Sequence, residues 1–220
     1  MKKVFNLIVV DESGSMSVIR DQALAGINET LATIKTVQGQ SADEMEQRVS
    51  LLLFDSGHCN FIYHDKNINN CRQLSFDEYR PGGATPLYDA IGLGISKVNA
   101  VTAADDNVLV TIITDGMENC SREYTLSMIK NLIEKLKKQN WTFTLIGTDD
   151  LNVEGMAQDM GFRDSMRFCK SVEGTKAMFA REHRARGKFY ECLRAGIKAP
   201  LEGSFFDEDE HEKEESKRKH

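Results

Sequence analysis

The chain has 220 residues, 40% of them hydrophobic and 28% charged, which is enough apolar content for one globular domain with a full core. Its formal charge of −6 argues against general affinity for nucleic acid or an anionic membrane surface, since both rest on clustered Lys and Arg. No apolar run approaches the ~20 residues of a membrane helix, and the five scattered cysteines (Cys59, Cys71, Cys120, Cys169, Cys192) contain no CxxC pair, which argues against a disulfide framework or a zinc site.

MKKVFNLIVV opens like a signal peptide, but Asp11 and Glu12 end its apolar run after about seven residues and no small-residue cleavage site follows. It reads as a first strand, and the protein as cytoplasmic. Val4 to Val10 is nearly continuous in apolar character, as a strand covered on both faces should be. Ile19, Ala23, Leu24, Ile27, Leu31 and Ile34 then recur at spacings of three and four, one face of an amphipathic helix. Arg48 to Asp55 predicts a second buried strand. FIYHD and CRQLS, on either side of KNINN, predict a shorter and more polar piece near an edge.

GGATPLYDAIGLGISKVNAV opens with glycines and Pro86 and carries Leu87, Ile91, Ile95 and Val98 at helical spacing. Asn107 to Gly116 is a strand ending in a turn, TLSMIKNLIEKLKKQ a helix, Trp141 to Asp150 a strand, NVEGMAQDM a short helix and Ser165 to Ser171 a last short strand. A closing helix follows from EGTKAMF onward, with an expected interruption near Gly187. Arg181, Arg184, Arg186, Lys188 and Arg194 make that helix basic and predict a solvated face. Strands separated by helices imply right-handed crossovers, hence a doubly wound α/β fold: a mostly parallel sheet with helices on both faces. One domain over 1–202 is expected, followed by a mixed-charge tail, 203–220, too poor in apolar residues to offset its ordering entropy.

In such a sheet, ligands bind beyond the carboxyl ends of the strands, where strand order reverses. Asp11, Ser13 and Ser15 follow the first strand, Asp115 closes NVLVTIITD, and Thr85 lies in the loop GGATP that opens a helix. If the first strand and the Asp115 strand flank the reversal, these five oxygen-bearing side chains meet. Carboxylates and aliphatic hydroxyls are hard ligands, suited to Mg²⁺, Mn²⁺ or Ca²⁺ rather than zinc or copper. Each motif also has an ordinary explanation alone: Ser13 or Ser15 as a helix cap, Thr85 as a cap before Pro86 at the first helical position, and Asp115-Gly116 as a turn.

Together, DESGSM, GGATPLYDAI and TIITDGMEN resemble the von Willebrand factor type A (VWA) domain with its metal-ion-dependent adhesion site (MIDAS), in the manner of a compact, bacterial-type intracellular member. The resemblance covers roughly residues 1–172 and rests on DxSxS, a Thr in a GGTP-like loop and a strand-closing Asp before Gly. It implies six strands with one short antiparallel edge strand, and the metal set Asp11, Ser13, Ser15, Thr85 and Asp115. It further implies a binding module rather than an enzyme, in which Mg²⁺ (or Mn²⁺ or Ca²⁺) bridges to an Asp or Glu of a protein partner, in settings that include ATPases and multiprotein assemblies. The alternative is a metal-assisted hydrolase or phosphatase in the same crevice. It is weaker: aspartate-nucleophile phosphotransferases carry a second carboxylate where Ser13 stands, and no general base is evident. Asp89 and Glu118 lie near the same loops and are read as a helix-terminus charge and a solvated loop residue, outside the metal set.

Overall fold

Lys2–Asp11 forms β1, and its alternate residues serve two cores, which is why it lacks polar alternation. Val4, Ile8 and Val10 join one apolar cluster, and Phe5, Leu7 and Val9 the other. The computed structural model describes residues 2–41, 44–197 and 205–206. After β1 a 3-10 turn, Gly14–Ile19, leads into α1, Arg20–Gln40. The chain continues through β2 (Met45–Phe54), β3 (Cys59–Asn67), α2 (Leu87–Asn99), β4 (Asn107–Thr114), α3 (Leu126–Leu136), β5 (Trp141–Thr148), α4 (Val153–Met160), β6 (Asp164–Phe168) and α5 (Val172–Arg194).

The sheet has six strands in the order β3-β2-β1-β4-β5-β6, parallel throughout except for β2 against β3. Helices α1 and α5 cover one face, and α2, α3 and α4 the other. Order therefore reverses between β1 and β4, which lie side by side with Val10 opposite Ile113. The expected fold class holds, with β3 as the antiparallel edge strand, although at 9 residues it is not the short strand expected. The periodic residues of the helices are buried as expected, among them Ile27, Leu31 and Ile34 on α1 and Leu87, Ile91, Ile95 and Val98 on α2.

Three sequence-based expectations are corrected. CRQLS is not strand: the Asn67 side chain accepts from the Asn69 amide and turns the chain out of β3 through Ile68–Asn70, after which Cys71 and Leu74 are buried from irregular backbone. Helix α5 runs unbroken through Gly187, a surface position where an added Cβ would meet no neighbour. Arg186 is not solvated but fully buried: with Glu182 and Tyr190 it follows a spacing of four that faces the sheet. Counting charge without helical phase put it on the wrong side.

Within the expected tail, Phe205 and Phe206 are buried, Phe205 beside Phe189, and the Phe205 amide donates to Asp164 Oδ1 at 2.8 Å. The rest of 203–220 lies outside the described residues. All five cysteines are free thiols, and among the described residues no helix is long and apolar enough to cross a membrane.

Candidate metal centre

The carboxyl ends of β1 and β4 deliver Asp11 and Asp115 to the same edge, one on each side of the reversal. Three loops close around them through main-chain bonds. The Gly14 amide donates to the Gly83 carbonyl (3.1 Å), the Gly82 amide to Glu12 (2.8 Å), and the Asn119 amide to Thr85 (3.2 Å). Gly83 adopts φ +67, where a side chain would be strained and would also run into Ser56 Oγ at 2.5 Å.

The three hydroxyls are largely released from capping duty. Ser13 sits at the N-cap of the 3-10 turn without a side-chain cap bond. Thr85 is not the cap of α2: Pro86 holds the N-cap position, and the helix's first amides are met by Glu118, whose Oε2 accepts from Tyr88, and by Ser121, whose Oγ accepts from Asp89. The Glu118 carboxylate also accepts from the Cys120 and Ser121 amides, so it organises the loop instead of lying in solvent as expected. Asp89 holds the same loop, accepting from the amides of Arg122, Glu123 and Tyr124.

All five expected residues come together. Ser13 Oγ and Ser15 Oγ are 3.2 Å apart, Ser15 Oγ donates to Asp115 Oδ1 at 2.7 Å, and a Cβ on Gly116 would sit 2.8 Å from Thr85 Oγ1. Asp11 is fully buried, with Oδ1 accepting from the Ser13 amide (2.7 Å) and Oδ2 from Thr114 Oγ1 (2.6 Å). Burial is the largest influence on its carboxyl and pushes it up to about 6; bonds from Thr114 and Ser13 pull down, and Asp115 adds to the rise. Asp115 is buried too, and Ser15 is exposed, so the cradle opens on the Ser15 side.

Solved structures share this architecture. The SpRpn10 VWA domain matches with a TM-score of 0.55 at 8% identity, over 83% of this chain and 95% of that one. The vWF domain of the type V pili tip protein Mfa5 from Porphyromonas gingivalis gives 0.59 at 11% identity, over 92% and 98%.

This chain has the VWA fold.

Proximal thread matrix protein 1 from the mussel byssus, solved with a zinc-occupied MIDAS motif, matches at 0.58 and 12% identity over 82% of this chain. This chain spans only 46% of that protein and 30% of the Lactobacillus rhamnosus GG pilus adhesin SpaC, which matches at 0.63 and 16% identity. No protein-family model and no curated protein matches in sequence.

Within this VWA fold the donor set suits a hard divalent cation. Two buried carboxylates on adjacent strands repel each other, and a cation between them relieves that repulsion. Asp115 Oδ2 is buried and makes no hydrogen bond. The Lys170 ammonium lies 2.6 Å from it, an ion pair off hydrogen-bonding geometry. The remaining donors are neutral oxygens, and among the described residues no cluster of three or more His, Cys, Asp and Glu is arranged to hold a metal. That composition disfavours a soft metal.

Sequence reasoning missed three contributors at this edge, Glu12, Thr114 and Lys170, and gave Glu118, which it did single out, a solvated role. Glu12 is buried, accepts from the Arg80 amide, and meets His58 Nε2 at 2.8 Å, while His58 Nδ1 lies 2.9 Å from Asp55. Lys170 follows β6 by two residues, which puts it at the same carboxyl edge as Asp11 and Asp115.

Proposed function

We propose that the chain is a divalent-metal-dependent protein-binding module. Asp11, Ser13, Ser15, Thr85 and Asp115 hold Mg²⁺, with Mn²⁺ and Ca²⁺ as alternatives, and the ion accepts an Asp or Glu carboxylate from a protein partner. The observation that carries this reading is the convergence of three hydroxyls and two buried carboxylates where strand order reverses. The hydroxyls are neutral, so the ion keeps attraction for an outside anion. Mg²⁺ also ordinarily retains waters that a partner can replace. The structural likeness to a protein solved with an occupied MIDAS and to a pilus adhesin supports it. Val18 and Met117, both exposed, follow Ser15 and Asp115 closely in sequence and offer apolar side chains to a partner.

The module binds rather than catalyses. His58, the histidine paired at this edge, is engaged by Glu12 and Asp55 and stands as a structural bridge. The test is calorimetric titration of Mg²⁺ or Mn²⁺ into the wild type and Thr85→Ala, with partner capture from native lysate in the presence and absence of EDTA. Metal binding and capture are expected to disappear together in Thr85→Ala while the unfolding transition stays cooperative. A partner retained in EDTA sinks the proposal.

A further inference from the structure

Lys170 contributes nothing to the cradle's ligand set, yet its ammonium pairs with one of the cradle's carboxylates. Its Nζ lies 2.6 Å from Asp115 Oδ2, and its side chain is 22% exposed against 0% for Asp115. Asp115 Oδ1 accepts from Ser15 Oγ, so both carboxylate oxygens are engaged. The lysine is held in place from its own side: it lies between β6 and α5, its amide reaches Asp149 Oδ1 at 3.4 Å, and the Asp149 amide donates to the Phe168 carbonyl.

A buried carboxylate paired with an ammonium has most of its charge neutralised, and a divalent ion approaching Asp115 meets that ammonium at close range. The repulsion is weakly screened because Asp11, Ser13, Thr85 and Asp115 are all buried. We infer that Lys170 is a built-in competitor of the metal for Asp115, setting how tightly the cradle holds a divalent ion. The inference rests on the metal-binding reading above and adds a residue that opposes it.

The same geometry makes the effect depend on charge. A neutral side chain of similar length at position 170 removes the ammonium that a divalent ion at Asp115 would face, whereas arginine keeps the opposing charge. The lysine also stabilises the chain without metal, because removing it leaves Asp115 buried beside Asp11 without a counter-charge.

The experiment titrates Mn²⁺ into the full chain, wild type, Lys170→Gln and Lys170→Arg, and reads free ion by electron paramagnetic resonance, with circular dichroism as the fold control. Lys170→Gln is expected to bind Mn²⁺ on the order of tenfold more tightly than the wild type, and Lys170→Arg to stay within a few-fold of it. Unfolding in EDTA should occur at lower temperature for Lys170→Gln, with the difference narrowing in Mn²⁺. Equal or weaker Mn²⁺ binding by Lys170→Gln overturns the inference and leaves the metal-binding reading standing. Equal tightening by Lys170→Arg also overturns it, because charge is then not the cause. Absence of Mn²⁺ binding in all three proteins overturns the metal-binding reading itself, and this inference with it.

Discussion

Gly116 packs directly against a cradle hydroxyl, since a methyl group there would approach Thr85 Oγ1 to 2.8 Å. Thr85 is itself buried, so its hydroxyl has nowhere to retreat without moving the loop. Gly116→Ala should therefore displace the threonine oxygen and lower Mn²⁺ affinity by about 10–100-fold, the range seen when a ligand's support is disturbed. Mn²⁺ titration checks it, and unchanged affinity would mean that Thr85 is not a ligand. At this scale the sequence was most legible where a motif fixed the residue: Asp11, Ser13, Ser15, Thr85 and Asp115 all arrive at one edge. It was least legible where a partner comes from a distant strand. Lys170 and Asp115 are held together across β5, and local spacing carries no information about that.

Between elements, the contact of α1 with α5 shows how burial sets a titration. His183 Nε2 lies 2.9 Å from Thr30 Oγ1 and 3.8 Å from Glu182 Oε2. Burial comes first and lowers the imidazole from its ordinary 6.5, and Arg186 acts in the same direction; Glu182, Glu29 and the Gly26 carbonyl oppose it. A base with a lowered folded value stays neutral in the fold. Its contribution to stability is therefore in full force above 6.5 and is lost as pH falls through the folded value. Urea midpoints measured at about pH 7.5 and 5.5 should drop more for the wild type than for His183→Gln. Equal drops would show that His183 titrates as it does unfolded. Element type and order were legible because periodicity changes cleanly between strands and helices. The phase of α5 was not, because Glu182 and Arg186 occupy its inner face and mimic a solvated stripe.

On the scale of the whole molecule, the reversal between β1 and β4 was legible because chain order alone implies right-handed crossovers and hence where the sheet must split. The reach of the core was not. FF between Gly203-Ser204 and a charged run reads as part of a tail, yet Phe206 is 2% exposed and joins the α1 and α5 cluster. Phe206→Ala should cost about 3–5 kcal/mol if its site cannot collapse, measured as a shift in denaturant midpoint against the full chain. A shift near zero would separate this dipeptide from the folding unit.

The buried guanidinium of Arg186 bridges the two strands that lead into the cradle. One nitrogen donates to Asn6 on β1 (3.0 Å) and another to Thr111 on β4 (2.9 Å), while Glu182 holds the group from its own helix. These are the two strands that end in the cradle's aspartates, Asn6 five residues before Asp11 and Thr111 four before Asp115. Shielded from water, its N–H protons should exchange slowly and give resolved nuclear magnetic resonance signals. Arg186 is thus an internal strain gauge: a change in the gap between β1 and β4 as ions load the edge would register in its chemical shifts, with no label attached.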